Sequence, residues 1–484
     1  MLFNSYQFIF FFLPISVGIY YFLGKKFNAN FSLYWLIFCS LLFYSFYNFD
    51  SLKILLFSII INYLFGTLLL KSNDSKNIIF FTSIIFNIFY LVTFKYINFL
   101  IEIINSIFLS NINFQNFELP LGISFFVFTQ ITFLYQCYIN NENNRSIAKY
   151  ILFVSFFPHL LAGPILDYSN IKNQLDNKKI YIFKPLNFYL GIFLFFVGLS
   201  KKLLIADPLS IYVDQIHSII EQGQSIGFIE SWLVSLSYTF QLYFDFSGYS
   251  DMAVGIAILF AIKIPFNFNS PYKSLNIISF WENWHMSLTN FIKIYVYNPL
   301  SLLIGRLAIN YNKVVYNILL YSPFLITFFI IGLWHGANYT FIIFGLMHGF
   351  FIIINHSWRS LSQNLKISIN KYLSWLVTFL SVNFSFVVFR AKNLDIAEHI
   401  YKGMLGLVQN NPFFSFQKII PLIIICLLLV LIFPNTIKFW EMISKIKDIK
   451  IKKKLNLYIY TVIGLSFLCL LKLKTPQTFI YIQF

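Results

Sequence analysis

The sequence predicts an all-α fold, a polytopic transmembrane helical bundle, and three observations carry that reading. Hydrophobic residues fill 58% of the 484 positions and charged residues only 11%, less than half the roughly 25% charge with which a soluble domain covers its surface. Apolar windows of about 20 residues, the length that crosses a bilayer, recur from end to end. Ten-residue segments of alternating polarity, the pattern of a membrane β-barrel, do not occur, so the spans are helical. An ordinary soluble enzyme is thereby excluded.

Spans are expected near 7–24, 31–48, 52–70, 77–98, 119–138, 187–206, 226–246, 249–266, 314–333, 338–357, 370–389, 418–436 and 457–473. That is about 11 to 13 crossings, with re-entrant and interfacial helices besides, in a single integral-membrane domain over 1–484. The first apolar stretch has no cation before it and Lys25 and Lys26 after it. A cleavable signal has the opposite charge order, so this is a retained span. Cations collect on the cytoplasmic side, which places Lys25, Lys26 and the stretches 71–76, 145–149 and 172–184 there. Between the last two lies 150–166, broken by Pro158, Gly163 and Pro164. It reads as a re-entrant element, and irregular backbone at membrane depth must be buried in protein or line a cavity. His159 either lines that cavity or caps the irregular backbone. The stretch 288–303 mixes Lys293 with aromatic and aliphatic residues, as an interfacial helix does.

The net charge of +17, from 35 Lys+Arg against 18 Asp+Glu, does not point to nucleic acid, because the cations sit between apolar runs rather than on one interleaved face. The densest run, 445–454, has six Lys and one Asp and reads as a loop held at anionic headgroups. Cys39, Cys137, Cys426 and Cys469 each fall inside an apolar span, so they read as core thiols, with no metal or redox pairing. HExxH, Walker A, GxGxxG and GxSxG patterns are absent, as is an HxxxxD signature after any histidine.

What remains are polar residues stranded in apolar sequence, which in a membrane mark function because burying them is costly. His335 stands in Gly332-Leu-Trp-His-Gly-Ala-Asn338, near the centre of 45 uncharged residues between Lys313 and Arg359. Glycines on either side let a substrate approach the backbone, and a histidine is suited to take a proton from a hydroxyl near neutral pH. The alternative is a hairpin turn at the interface with His335 facing headgroups. His285 lies in Phe280-Trp-Glu-Asn-Trp-His-Met-Ser287, where helical spacing would put Trp281 and His285 on one face with Glu282 in reach. Its alternative is an aromatic belt holding a hydrogen-bonded histidine. His348, in Gly345-Leu-Met-His-Gly349, reads as close helix packing, and His356 as interfacial. His217 and His399 carry no signal. Tyr243-Phe-Asp-Phe-Ser-Gly-Tyr-Ser-Asp251 reads as a break between spans, with Ser250 or Asp251 capping the next helix and, in a transporter, Asp245 and Asp251 as coupling groups.

These segments, together with Met1-Leu-Phe-Asn-Ser-Tyr-Gln-Phe8, Phe157-Pro-His-Leu-Leu-Ala-Gly-Pro-Ile165 and Phe389-Arg-Ala391, resemble the membrane-bound O-acyltransferases. Within that family the resemblance is to the bacterial alginate and peptidoglycan O-acetyltransferase group. It implies a bowl of helices with a central tunnel and carries the family's catalytic histidines onto His335 and His285. Trp334, Asn338, Trp281 and His159 are then expected at the substrate, with no bound cofactor and no metal. The donor implied is acetyl-CoA or an acyl-carrier thioester. The product is an acetyl group passed across a bacterial inner membrane to a cell-envelope polysaccharide, with an extracytoplasmic SGNH-type partner, expected because no such domain follows the last apolar segment. The basic pair common in the second motif is Glu282 and Asn283 here, so no charge role is carried over. D-alanyl transfer to teichoic acid and, in another class, a proton-coupled transporter or flippase are the alternatives.

Overall fold

The structure, a computed structural model, describes residues 1–72, 74–115, 117–139, 146–408, 419–444, 464–473 and 479–480. Among the described residues there is no strand, and seven helices are long and apolar enough to cross a membrane. The cationic run 445–454 lies outside the described residues. Contacts group the described chain into two compact units.

The first unit comprises the described residues of 1–200 and 248–265 together with 464–473 and 479–480. It contains α1 (Leu13–Lys26), α2 (Ala29–Ser45), α3 (Phe49–Lys71), α4 (Lys76–Phe108), α5 (Ile123–Ile139), α6 (Ile147–Ser155), α7 (Phe157–Leu160), α8 (Tyr168–Asp176) and α9 (Pro185–Ser200). Asparagine starts α2 and α3: the Asn28 and Asn48 side chains accept amide hydrogens of their first turns, which caps a helix without placing a formal charge at the bilayer edge. α3, α4 and α5 are joined by a buried amide network. Asn87 Nδ2 donates to Asn62 Oδ1 at 2.6 Å, while Ser58 Oγ and Asn62 Nδ2 donate to Gln130 Oε1 at 2.7 and 2.9 Å. Such uncharged pairs join helices where lipid supplies no hydrophobic drive. The re-entrant reading of 150–166 is consistent with α6 and α7, nine and four residues long, which at 1.5 Å per residue are too short to cross.

The second unit comprises 201–247 and 266–448. It holds α10 (Asp207–Glu221), which follows a π-helical segment at Lys201–Ala206, and the first part of α11 (Phe228–Leu259). α12 (Ile277–Asn283), α13 (Met286–Ile292) and α14 (Asn298–Ala308) follow, then α15 (Lys313–His335), α16 (Tyr339–Leu365), α17 (Lys371–Arg390), α18 (Leu394–Met404), α19 (Ile419–Leu431) and α20 (Thr436–Ser444). The interfacial reading of 288–303 matches α13, a π-helical turn and α14, which leaves Leu302, Leu303 and Leu307 exposed.

One expectation fails. The sequence divides 226–266 into two spans with a capped break at 243–251, whereas α11 runs unbroken over 32 residues. Ser250 and Asp251 are mid-helix and cap nothing. Gly248 is a crossing point instead: a Cβ on Gly198 would lie 2.4 Å from the Gly248 carbonyl oxygen, and one on Gly255 would lie 2.7 Å from that of Gly191. Glycines seven apart on α9 and on α11 thus let the two backbones touch, which is the physical reason for a motif that looks like a helix breaker.

Candidate active site

α15 and α16 form a tightly apposed hairpin whose turn carries His335. A Cβ on Gly332 would lie 2.3 Å from the Phe341 carbonyl oxygen, and one on Gly345 would lie 2.2 Å from that of Phe328. α15 ends at His335, Gly336 is extended, and Asn338 starts α16 by accepting the Thr340 amide at 3.0 Å. His335 does not face headgroups: it is 5% exposed, inside a ring of aromatics. Trp334 and Phe389 lie 4.7 and 4.9 Å away between ring centroids, and Phe344 and Phe341 lie 5.7 and 6.3 Å away.

His285 reaches the same place from another part of the chain. Its backbone is left-handed, with φ 43° and ψ 53°, a conformation rare for a residue with a Cβ and of the kind that gathers at functional sites. A neighbouring strap enforces it: Asn267 accepts the Met286 amide on its carbonyl at 2.9 Å and the Ser287 amide on its side chain at 3.2 Å, and the Asn269 amide donates to the Asn283 carbonyl. The ring is 1% exposed, 4.7 Å from Phe246 and 6.0 Å from Trp334. One indole therefore bridges the two imidazoles predicted to act together.

The expected sharing of a helix face by Trp281 and His285 does not occur, because α12 ends at Asn283 and Trp284 is extended. Trp281 turns elsewhere. Its Nε1 donates to His348 Nδ1 at 3.2 Å, and His348 Nε2 meets Ser385 Oγ at 2.8 Å. The Gly345–Gly349 stretch does pack closely, with a Gly349 Cβ placed 3.1 Å from Leu325, but His348 itself is a hydrogen-bonded link that sequence spacing does not reveal. Trp281 also lines a cavity of about 190 Å³ with Phe328, Ile331, Ile352, Thr327 and Lys293. Ile331 lies one helical turn before His335 on α15.

Asn338 and His159 are occupied structurally. Besides its cap, Asn338 donates from Nδ2 to the Lys392 carbonyl at 2.9 Å. His159, a residue of the first unit, is 1% exposed, and its Nε2 meets the Phe153 carbonyl at 2.9 Å, which is the backbone-capping arrangement. A charge cluster that the sequence did not disclose lies in the second unit: Lys202 pairs with Asp245 at 2.5 Å and Asp207 at 2.9 Å, with Lys202 and Asp245 deeply buried and Asp207 partly so. Lys202 and Asp207 are five apart, a spacing that an α-helix turns away from itself and a π-helical turn brings together. Among the described residues no group of three or more His, Cys, Asp or Glu could hold a metal.

Residues 41–394 match the model of the membrane-bound O-acyltransferase family. The chain is 38% identical over 435 residues to a peptidoglycan O-acetyltransferase of Helicobacter pylori, covering 84% of this chain and 80% of that protein. It is 33% identical over 416 residues to a probable alginate O-acetylase of Pseudomonas aeruginosa, covering 84% and 75%. A teichoic acid D-alanyltransferase of Bacillus subtilis is 29% identical over 283 residues, covering 56% and 69%. With a family match over most of its length and apolar helices throughout, this chain is a multi-pass membrane O-acyltransferase and belongs to the membrane-bound O-acyltransferase family.

Proposed function

We propose that the protein is an O-acetyltransferase of a bacterial inner membrane. It takes an acetyl group from a cytoplasmic thioester, acetyl-CoA or a loaded carrier, and delivers it toward hydroxyls of a cell-envelope polysaccharide of the peptidoglycan or alginate kind. The observation that carries the reading is the placement of two buried imidazoles against one indole, at the turn of a glycine-packed hairpin. His335 removes the proton from the acceptor hydroxyl. The oxygen attacks the thioester carbonyl, the C–S bond breaks, and the thiolate takes the proton back from the imidazolium. His285, which also packs against Trp334, serves the leaving thiolate or positions the donor. Trp334, in contact with both rings, orients the carbonyl. Asn338 is left out of this role because its amide is committed to the cap and to Lys392. Burial among Phe341, Phe344 and Phe389 keeps water from competing for the thioester.

The cavity beside Trp281 suits the acyl end of the donor. At about 190 Å³ it is smaller than the 300–1,000 Å³ usual for drug-sized ligands, which favours a short acyl group. The similarity to acetyl-transferring relatives over 84% of the chain, against 56% for the D-alanyltransferase, supports acetyl in the same direction. A separate extracytoplasmic partner of the SGNH type would complete the transfer to the glycan. The transporter reading is not favoured: Asp245, one of its coupling groups, is held in an ion pair with Lys202.

The test is His335→Ala in cells, with ester-linked acetate measured on isolated envelope glycans. A loss of 100-fold or more is expected, the range in which general-base removal falls. Wild-type acetate with normal protein levels would overturn the assignment.

A further inference from the structure

We infer that His348 is a positioning residue that holds Trp281 as a rigid wall of the donor cavity and thereby sets the acyl length the enzyme accepts. This rests on the thioester reading above.

The hydrogen bonds run in one direction and leave little freedom. Ser385 Oγ donates to the Val382 carbonyl at 2.7 Å, so toward His348 it is an acceptor. His348 must then carry its proton on Nε2 to make the 2.8 Å contact, which leaves the lone pair on Nδ1 to accept the Trp281 Nε1 hydrogen at 3.2 Å. Each ring nitrogen thus has one partner and one role, and the neutral tautomer follows from the Ser385 hydroxyl. His348 is completely buried and held by aromatics on several sides: Phe344 at 4.7 Å, Phe351 at 5.6 Å, and Phe280 nearly parallel to it at 6.4 Å. The chain Trp281–His348–Ser385–Val382 fastens a residue of α12 through α16 to the backbone of α17.

Trp281 is where that chain meets the cavity. Its indole is packed edge-on to Phe328 at 5.1 Å, His348 at 5.0 Å and Phe280 at 5.8 Å, and it lines the cavity. An indole N–H left buried without an acceptor is driven toward any polar group or water in reach. With His348 unable to accept, those lie in the cavity, around Thr327, Glu282 and Lys293. The wall would then turn, and the space would lengthen. The tight glycine contacts between α15 and α16 hold in place the walls that these two helices supply, so facing them the indole is the movable part.

The experiment uses the full-length protein in detergent with acetyl-CoA and butyryl-CoA as probes. Thiol release is followed after subtraction of the His335→Ala background, alongside ¹⁹F NMR of 5-fluorotryptophan protein in which Trp281 is identified by the line lost in Trp281→Phe. Wild type should prefer acetyl over butyryl by 10-fold or more. His348→Leu should cut that preference at least 5-fold, chiefly by lowering KM for butyryl-CoA while kcat for acetyl-CoA changes less, and should shift or split the Trp281 line. His348→Gln, whose carbonyl can accept from Trp281 and whose amide can donate to Ser385, should restore both. An unchanged acetyl-to-butyryl ratio or an unmoved Trp281 line in a folded, monodisperse His348→Leu protein overturns the inference. Equal thiol release by wild type and His335→Ala overturns the thioester reading itself and with it the acyl-length role, while the Trp281 line still decides whether His348 fixes the indole.

Discussion

Lys202 is a residue whose removal should be costly. It is 2% exposed and holds Asp207 and Asp245, whose side chains are 13% and 2% exposed. Replacing it with Met removes the cation that pairs with both carboxylates, a change that costs about 3–5 kcal/mol in buried pairs. Lys202→Met should lower the melting temperature in detergent by about 5 °C or more, and adding Asp245→Asn should recover part of the loss. An unaltered melting curve would show that the cluster contributes nothing. At this scale the sequence was readable where a polar group stands out from its surroundings: His335 lies in a run of 45 uncharged residues and His285 in an aromatic motif, and both are found buried against Trp334. It was unreadable where partners lie far apart. Ser385 is 37 residues from His348, and Trp281 is 67, so no spacing rule could connect them. Lys202 was masked by its position at the end of an apolar window, and only the π-helical segment Lys201–Ala206 brings it onto Asp207.

Helices in this protein are told apart by where glycine falls. In α15, Gly332 is pressed against the Phe341 carbonyl at a distance that no Cβ tolerates, whereas Gly305 in α14 has nothing within 4 Å. The same substitution should therefore have opposite signs. Gly305→Ala relieves the entropic cost of a mid-helix glycine and should stabilise by up to about 1 kcal/mol. Gly332→Ala must push α15 and α16 apart one turn below His335, and overpacking of this kind costs about 1–3 kcal/mol. It should also reduce acyl transfer roughly 10-fold or more, since small displacements of a catalytic group are felt strongly. Parallel melting and acetate measurements on the two variants check this, and equal effects would mean that the hairpin is not tightly set. The same contrast explains why the sequence misjudged α11. Gly248 amid serines has the composition of a break, and only the backbone of α9 against it shows a contact surface. The asparagine caps at Asn28, Asn48 and Asn338 were not read from the sequence. A turn at Asn338 was one of the two readings, and its side chain is found capping the helix that follows.

Over the whole chain, the cations and the helix lengths make a single statement about orientation. α1, α2, α3 and α4 follow one another through short turns. With Lys25 and Lys26 after α1, and Lys71 and Lys76 between α3 and α4, alternate turns carry the charge, and the turn between α2 and α3, at Tyr47 and Asn48, carries none. The rule that cations stay on the cytoplasmic side then puts Lys26 and Lys71 inside and Tyr47 outside. Lys178, exposed in the cationic stretch after α8, falls inside as well. α15, at 23 residues, is about 34 Å long, enough to carry the chain from one face to the other. The four native cysteines are all buried, so they should react little with a polar thiol reagent. Single cysteines placed at Tyr47, Lys26, Lys71 and Lys178 would be exposed to a membrane-impermeant maleimide on intact cells and again after permeabilisation. Tyr47→Cys should label in intact cells, and the other three only after permeabilisation. The reverse pattern would invert the chain in the membrane and remove the reason for placing a thioester donor on the side that these lysines mark.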